Sequence, residues 1–173
     1  MCVITSTTSD SPLRLFQGKE AVDYINSLIP AGSTVSSGYS TTLQQIGYVD
    51  AVKARKDVDD VKGKAIAAMA AGDHAGYAKL VRQGAAADFF LSSVSAITAD
   101  GNIHSADKTG SRIAGWFSAG QLIVVAGTNK IVENDAEALQ RLLDYQVKLE
   151  SARCRVAYGV PGSSVMKGGP PCA

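Results

Sequence analysis

The chain is poor in the residues that build metal clips, disulfide frameworks and membrane spans. Its three cysteines, Cys2, Cys154 and Cys172, are odd in number and show no C-x-x-C spacing, so neither a disulfide framework nor a local metal clip is indicated. Reduced thiols fit this pattern, and a single thiol near the end of the chain falls short of the four ligands of an iron–sulfur cluster. Only two histidines are present, His74 and His104, which leaves a three-ligand zinc site without evident members; no metal site is expected. No apolar run approaches ~18 residues, and Met1-Cys2-Val3-Ile4 passes directly into Thr and Ser without the apolar core of a signal peptide. The expectation is a cytoplasmic protein with no membrane partner. The formal net charge is +1 with no long run of one sign, which argues against nucleic acid as a partner. No Walker loop, G-x-G-x-x-G fingerprint or internal repeat occurs. Ser105-x-x-Lys108 and Lys108-Thr109-Gly110 mimic two β-lactamase elements, but here they overlap on one lysine instead of lying far apart.

What is present suffices for one domain with its own core, and a single domain over 1–173 is expected. Residues 1–17 are Ser/Thr-rich and read as a loosely ordered start; 159–173 read as a Gly/Pro-rich tail. Ala21, Val22, Ile25, Leu28 and Ile29 recur at helical spacing before Pro30-Ala31-Gly32. A short strand over Thr34–Ser37 follows, and Gly38 turns the chain into Ser40-Thr41-Thr42, whose hydroxyls can cap a helix. Phe89–Val94 and Gln121–Ala126 have the apolar density of buried strands. Between them, Asp100-Gly101 predicts a hairpin with a type I′ turn, and Ile113–Phe117 a helix. Asn134–Glu137 resembles a capping box ahead of a long helix with Leu139, Leu142, Leu143 and Val147 on its apolar face, and Arg153–Tyr158 reads as a last strand. The fold class is α/β: three layers, a mixed, mostly parallel sheet with helices on both faces and one β-hairpin.

Ligands of such sheets bind beyond the carboxyl ends of the strands. Thr109-Gly110 at a helix start is either an anion cradle or a tight turn with its cap. Arg112, three residues on, is either a clamp for phosphate or carboxylate or a solvated charge. Asp107 and His104 are the candidate catalytic groups; Asp107 equally suits a helix N-terminus, and His104 a hydrogen-bonded structural place. Asn102 belongs to the hairpin turn and could border a pocket. Gly127, Asn129 and Lys130 leave a buried strand at its carboxyl end, and Gly38 with Thr41 and Thr42 offers a further wall. Arg112 and Lys130 are expected to converge on one anion.

Three motifs carry a family resemblance: A-I-T-x-D-G over Ala96–Gly101, D-x-T-G-x-R over Asp107–Arg112, and V-A-G-x-N-K-I-V over Val125–Val132. With a weaker match over Gly38–Gly47, the chain resembles the LUD domain, the lactate-utilisation family. The resemblance implies a fold like that of ribose-5-phosphate isomerase, CoA transferases and formyltetrahydrofolate cyclo-ligase. It implies a small anionic ligand that is phosphorylated, nucleotide-type or an organic acid. Its alternative implication is a non-catalytic subunit or scaffold beside a redox-protein partner. The resemblance leaves the cofactor and any reaction catalysed by the chain alone open, and a homodimer is an open arrangement.

Overall fold

The computed structural model describes residues 1–6, 14–107 and 110–158. They form two compact units, one of residues 1–6, 14–93, 107 and 110–128, the other of residues 94–106 and 129–158.

The first unit begins with β1 (Cys2–Ser6) and β2 (Arg14–Phe16), followed by α1 (Gly18–Leu28), β3 (Thr34–Ser37), α2 (Thr41–Gln45), α3 (Tyr48–Ala54), β4 (Asp59–Asp60), α4 (Val61–Ala70), α5 (His74–Ala85) and β5 (Phe89–Ser92). The second unit takes β6 (Ala96–Thr98) and β7 (Ile103–His104), after which α6 (Ser111–Ser118) and β8 (Gln121–Gly127) complete the first. The second unit then resumes with β9 (Ile131–Val132), α7 (Asp135–Arg141), a π-helical turn (Leu142–Gln146) and α8 (Val147–Tyr158).

In the first unit the strand order is β2-β1-β8-β5-β3-β4. The block β8-β5-β3-β4 is parallel, while β1 and β2 add an antiparallel edge. Register aligns Ser37 with Leu91 and Leu91 with Ile123. Side chains alternate across a strand, so this row and its neighbours Val35 and Val125 share one face. They form a core with Ala21, Val22 and Ile25 of α1, Leu43 of α2, and Tyr48 and Val52 of α3. The opposite face carries Ser36 and Phe90, and here helices approach through glycine. A Cβ on Gly84 of α5 would lie 2.5 Å from Ser36 Oγ, and one on Gly115 of α6 would lie 2.4 Å from the Phe90 ring. Helices therefore cover both faces, as the alternation of elements predicts.

Thr34 and Asp88 clasp the amino ends of β3 and β5. The Thr34 N–H and hydroxyl both donate to Asp88 Oδ2, at 2.8 and 2.7 Å, while the Asp88 N–H donates to Thr34 Oγ1 at 2.8 Å. These donors, the backbone N–H first, hold the Asp88 carboxyl below the usual carboxylate range.

Several expectations need correction. The start of the chain is not loose where it is described: Cys2–Ser6 pairs with β8, and Arg14–Phe16 with Cys2–Ile4. The hairpin is not inserted into the main sheet but forms its own three-stranded sheet, β7-β6-β9. Its turn is not type I′, since Gly101 has a φ of 95° but Asp100 does not share the positive region. The Gly101 N–H donates to the Thr98 carbonyl and the Thr98 N–H to the Asn102 carbonyl. This is a three-residue loop, a geometry that demands one left-handed residue rather than two. Arg153–Tyr158 is helical, because α8 propagates through it with Arg153 paired to Glu150 and Arg155 bonded to Ser151. Leu139 and Leu143 are exposed, so they do not form a core-facing stripe. Cys2 and Cys154 are buried free thiols, and burial pushes the Cys2 thiol up; Cys172 and the Gly/Pro tail lie outside the described residues.

Gly115→Ala should lower the melting temperature, because overpacking a buried contact costs about 1–3 kcal/mol and the helix propensity of Ala returns at most about 1. Gly18→Ala, where no atom lies within 4 Å of the added carbon, should not lower it. For Asp88 the folded pKa is depressed, so its contribution is present above the unfolded value of about 3.9 and fades as pH falls through the folded one. Acid melting curves of wild type and Asp88→Asn should therefore converge at low pH and separate above it.

Candidate functional site

In the first unit, the parallel strands β3, β5 and β8 end on a common rim, and each hands the chain to a polar turn. After β3, Gly38 is buried and Ser40 caps α2, accepting the Leu43 N–H at 3.1 Å. Thr42 is buried, Thr41 exposed. After β5, the buried Ser93 hydroxyl donates to Thr42 Oγ1 at 3.2 Å, joining the two turns. Gly127 closes β8 on the same side.

The start of α6 completes this rim. Gly110, its N-cap residue, has a φ of 75° and no side chain to offer the free backbone N–H groups. Asp107 supplies the missing acceptor: its Oδ2 takes the N–H of Arg112 at 2.7 Å and of Ile113 at 3.3 Å. The helix start thus holds an anion already, the chain's own carboxylate. Arg112 is half-buried and donates from Nη2 to the Tyr39 carbonyl at 3.3 Å. Its side chain lies over Gly38, where an added Cβ would come within 3.8 Å of Arg112 Nε. Gly38, Thr41, Asp107, Gly110 and Arg112 therefore belong to one rim, with Thr42 and Ser93 as buried hydroxyls. Thr109 lies outside the described residues.

The remaining candidates belong to the second unit. His104 Nε2 lies 2.6 Å from Asp135 Oδ1, and the Asn102 amide donates to both Asp135 oxygens at 3.3 and 3.4 Å. Asn102 also donates to Asp100, and the Thr98 hydroxyl, which bonds Asp100, accepts the Asn102 N–H at 2.8 Å. His104 first, then Asn102, hold the Asp135 carboxyl below its usual range. The network ties the hairpin to the start of α7, where Asn134 accepts the Glu137 N–H but Glu137 reaches back to the Glu133 N–H instead of completing a capping box. Asn129 is exposed and Lys130 half-buried in the 3-10 turn Thr128–Lys130 that leads into β9. Arg112 belongs to the first unit and Lys130 to the second.

The rim and hairpin motifs fall within a continuous match: the LUD domain family model aligns with residues 13–158. The chain belongs to the LUD domain family. The family is associated with lactate utilisation. No curated protein and no solved structure matches the chain.

In this LUD domain an open cleft of about 710 Å³ lies away from the rim, by the amino ends of β3 and β4 and lined in part by Gly32, Arg55, Asp57, Asp60 and Lys64. Its arginine and one of its lysines are already engaged. Arg55 is already held by both Asp57 oxygens at 3.0 and 2.7 Å and by the Ile29 carbonyl, and Lys64 pairs with Asp59 at 2.6 Å. Among the described residues no group of three His, Cys, Asp or Glu side chains is placed to hold a metal, and no helix is long and apolar enough to cross a membrane. Two partners escaped the sequence: Ser93, signalled only by lying at a strand's carboxyl end, and Asp135, which reads as a helix-start residue until folding brings His104 to it.

Asp107→Ala should destabilise the first unit by about 1 kcal/mol, the usual cost of losing a side-chain cap, whereas Asp107→Asn keeps an acceptor and should lose less. Denaturant melts of the two variants check this; equal losses would mean that the charge, not the cap, matters.

Proposed function

We propose that this LUD domain is a cytoplasmic protein that binds a small anionic metabolite at the rim of its first unit, in organic-acid metabolism of the lactate type. The supporting observation is Arg112: a half-buried guanidinium laid over the buried Gly38 turn that follows β3. The planar fork of a guanidinium suits a carboxylate or a phosphate, whether free or part of a nucleotide. The two α6 N–H groups held by Asp107 are not available to such a ligand, so the guanidinium carries recognition. His104 and its Asp135 partner belong to the second unit and are not needed for this binding.

Thermal-shift titrations of the full chain with inorganic phosphate, a nucleoside monophosphate and lactate test the reading. At ~100 times its dissociation constant a true ligand adds about 2.7 kcal/mol of stability. Arg112→Ala should weaken that ligand by about 1.5–3 kcal/mol, the range for hydrogen bonds to charged groups. If no probe shifts the melt, the anion reading fails; a ligand bound equally well by Arg112→Ala would place the site elsewhere.

A further inference from the structure

The second unit leaves apolar side chains in water along its C-terminal helix. Tyr145 is 48% exposed, Leu149 51% and Val156 90%, with half-buried Ala152 among them. Their separations of four, three and four residues set them on one stripe, the spacing of a coiled-coil seam. Scattered single hydrophobes need no explanation, but an aligned row over three turns does. Tyr145 is also braced: the Arg141 guanidinium lies 4.8 Å from its ring centre while Arg141 Nε donates to the Ser95 carbonyl at 3.0 Å. An aromatic ring held this way costs little further ordering when it is covered.

The charges beside the stripe restrict what can cover it. Lys148 and Arg155 each precede a stripe residue, Leu149 and Val156, and so border the same side; Arg153 follows Ala152 on the other. The two carboxylates of this segment are engaged, Asp144 with Lys148 at 3.3 Å and Glu150 with Arg153 at 2.5 Å. Among the described residues Arg155 bonds the Ser151 hydroxyl, at 3.2 Å, and no carboxylate, which leaves this segment with one cation in excess. A second copy meets like charge in either orientation: Lys148 falls near Arg155 when the helices run antiparallel, and near Arg153 when they run parallel. A helix with carboxylates beside its apolar seam meets opposite charge at Lys148, Arg153 and Arg155.

We propose that Tyr145, Leu149, Ala152 and Val156 form a docking stripe for an amphipathic helix of a partner protein whose apolar seam is flanked by Asp or Glu. This goes beyond the anion-binding reading and does not depend on it.

The test uses the full chain and two labelled synthetic helical peptides with leucine at heptad spacing, one flanked by Glu and one by Lys. Fluorescence anisotropy should show binding of the Glu peptide, weakened by added salt, and at least about tenfold weaker binding of the Lys peptide. Leu149→Asp should reduce Glu-peptide affinity by about tenfold or more. The double variant Lys148→Glu/Arg155→Glu, made at surface positions, should reverse the preference and decides the matter if Leu149→Asp fails to fold. The proposal is overturned if the Glu peptide does not bind, or if its binding ignores these substitutions. It is equally overturned if sedimentation shows a dimer that Leu149→Asp dissolves, which makes a second copy the occupant. Peptide binding that appears only after removal of residues 159–173 would assign the stripe to the chain's own tail.

Discussion

Parallel pairing of β3, β5 and β8 is the constraint on which the first unit depends. Parallel strands cannot be joined by tight hairpins, so each must be followed by a crossover, and the helices of these crossovers bury both sheet faces. The residues obey this demand. β8 is apolar on both faces from Leu122 to Ala126, and β5 places Leu91 in one layer and Phe90 in the other. Because the strands run the same way, their polar exits accumulate on one rim. Gly38, Ser93 and Gly127 share that rim for a topological reason, before any ligand is considered.

The α6 start shows why a glycine-led helix need not be an open anion site. Gly110 gives the turn its left-handed residue but provides no cap, and Asp107 reaches forward to take the two N–H groups an N-cap side chain would otherwise hold. The same carboxylate accepts the backbone N–H of Arg112, so among the described residues the rim brings an anion next to a guanidinium-bearing residue.

Much of the first unit was legible because its cues are local. The short strand at Thr34–Ser37, the apolar runs at Phe89 and Gln121, the capping hydroxyl of Ser40 and the apolar spacing of α1 each depend on neighbours in sequence. What escaped depends on distant partners. Cys2–Ser6 becomes a strand only because β8 offers an edge more than a hundred residues later. The His104–Asp135 bond spans 31 positions, and neither residue announces the other. The turn type was misread for a subtler reason: Asp-Gly permits two loop lengths, and the side chains of Thr98 and Asp100 favour the longer. Arg153–Tyr158 has strand-like composition at its end, yet a helix already propagating is cheaper to extend than to stop.

The π-helical turn has a consequence of a geometric kind. The Val147 N–H donates to the Leu142 carbonyl, one residue further back than an α-helix would use, so the segment holds an extra residue within an otherwise continuous helix from Asp135 to Tyr158. An α-helix turns by about 100° per residue, and the extra residue acts as a phase step of that order. Leu139, before the step, consequently faces a different direction from Leu149 and Val156 beyond it. The two halves of the rod are thus independently aimed, and a single deletion there would rotate every downstream side chain while changing none of them.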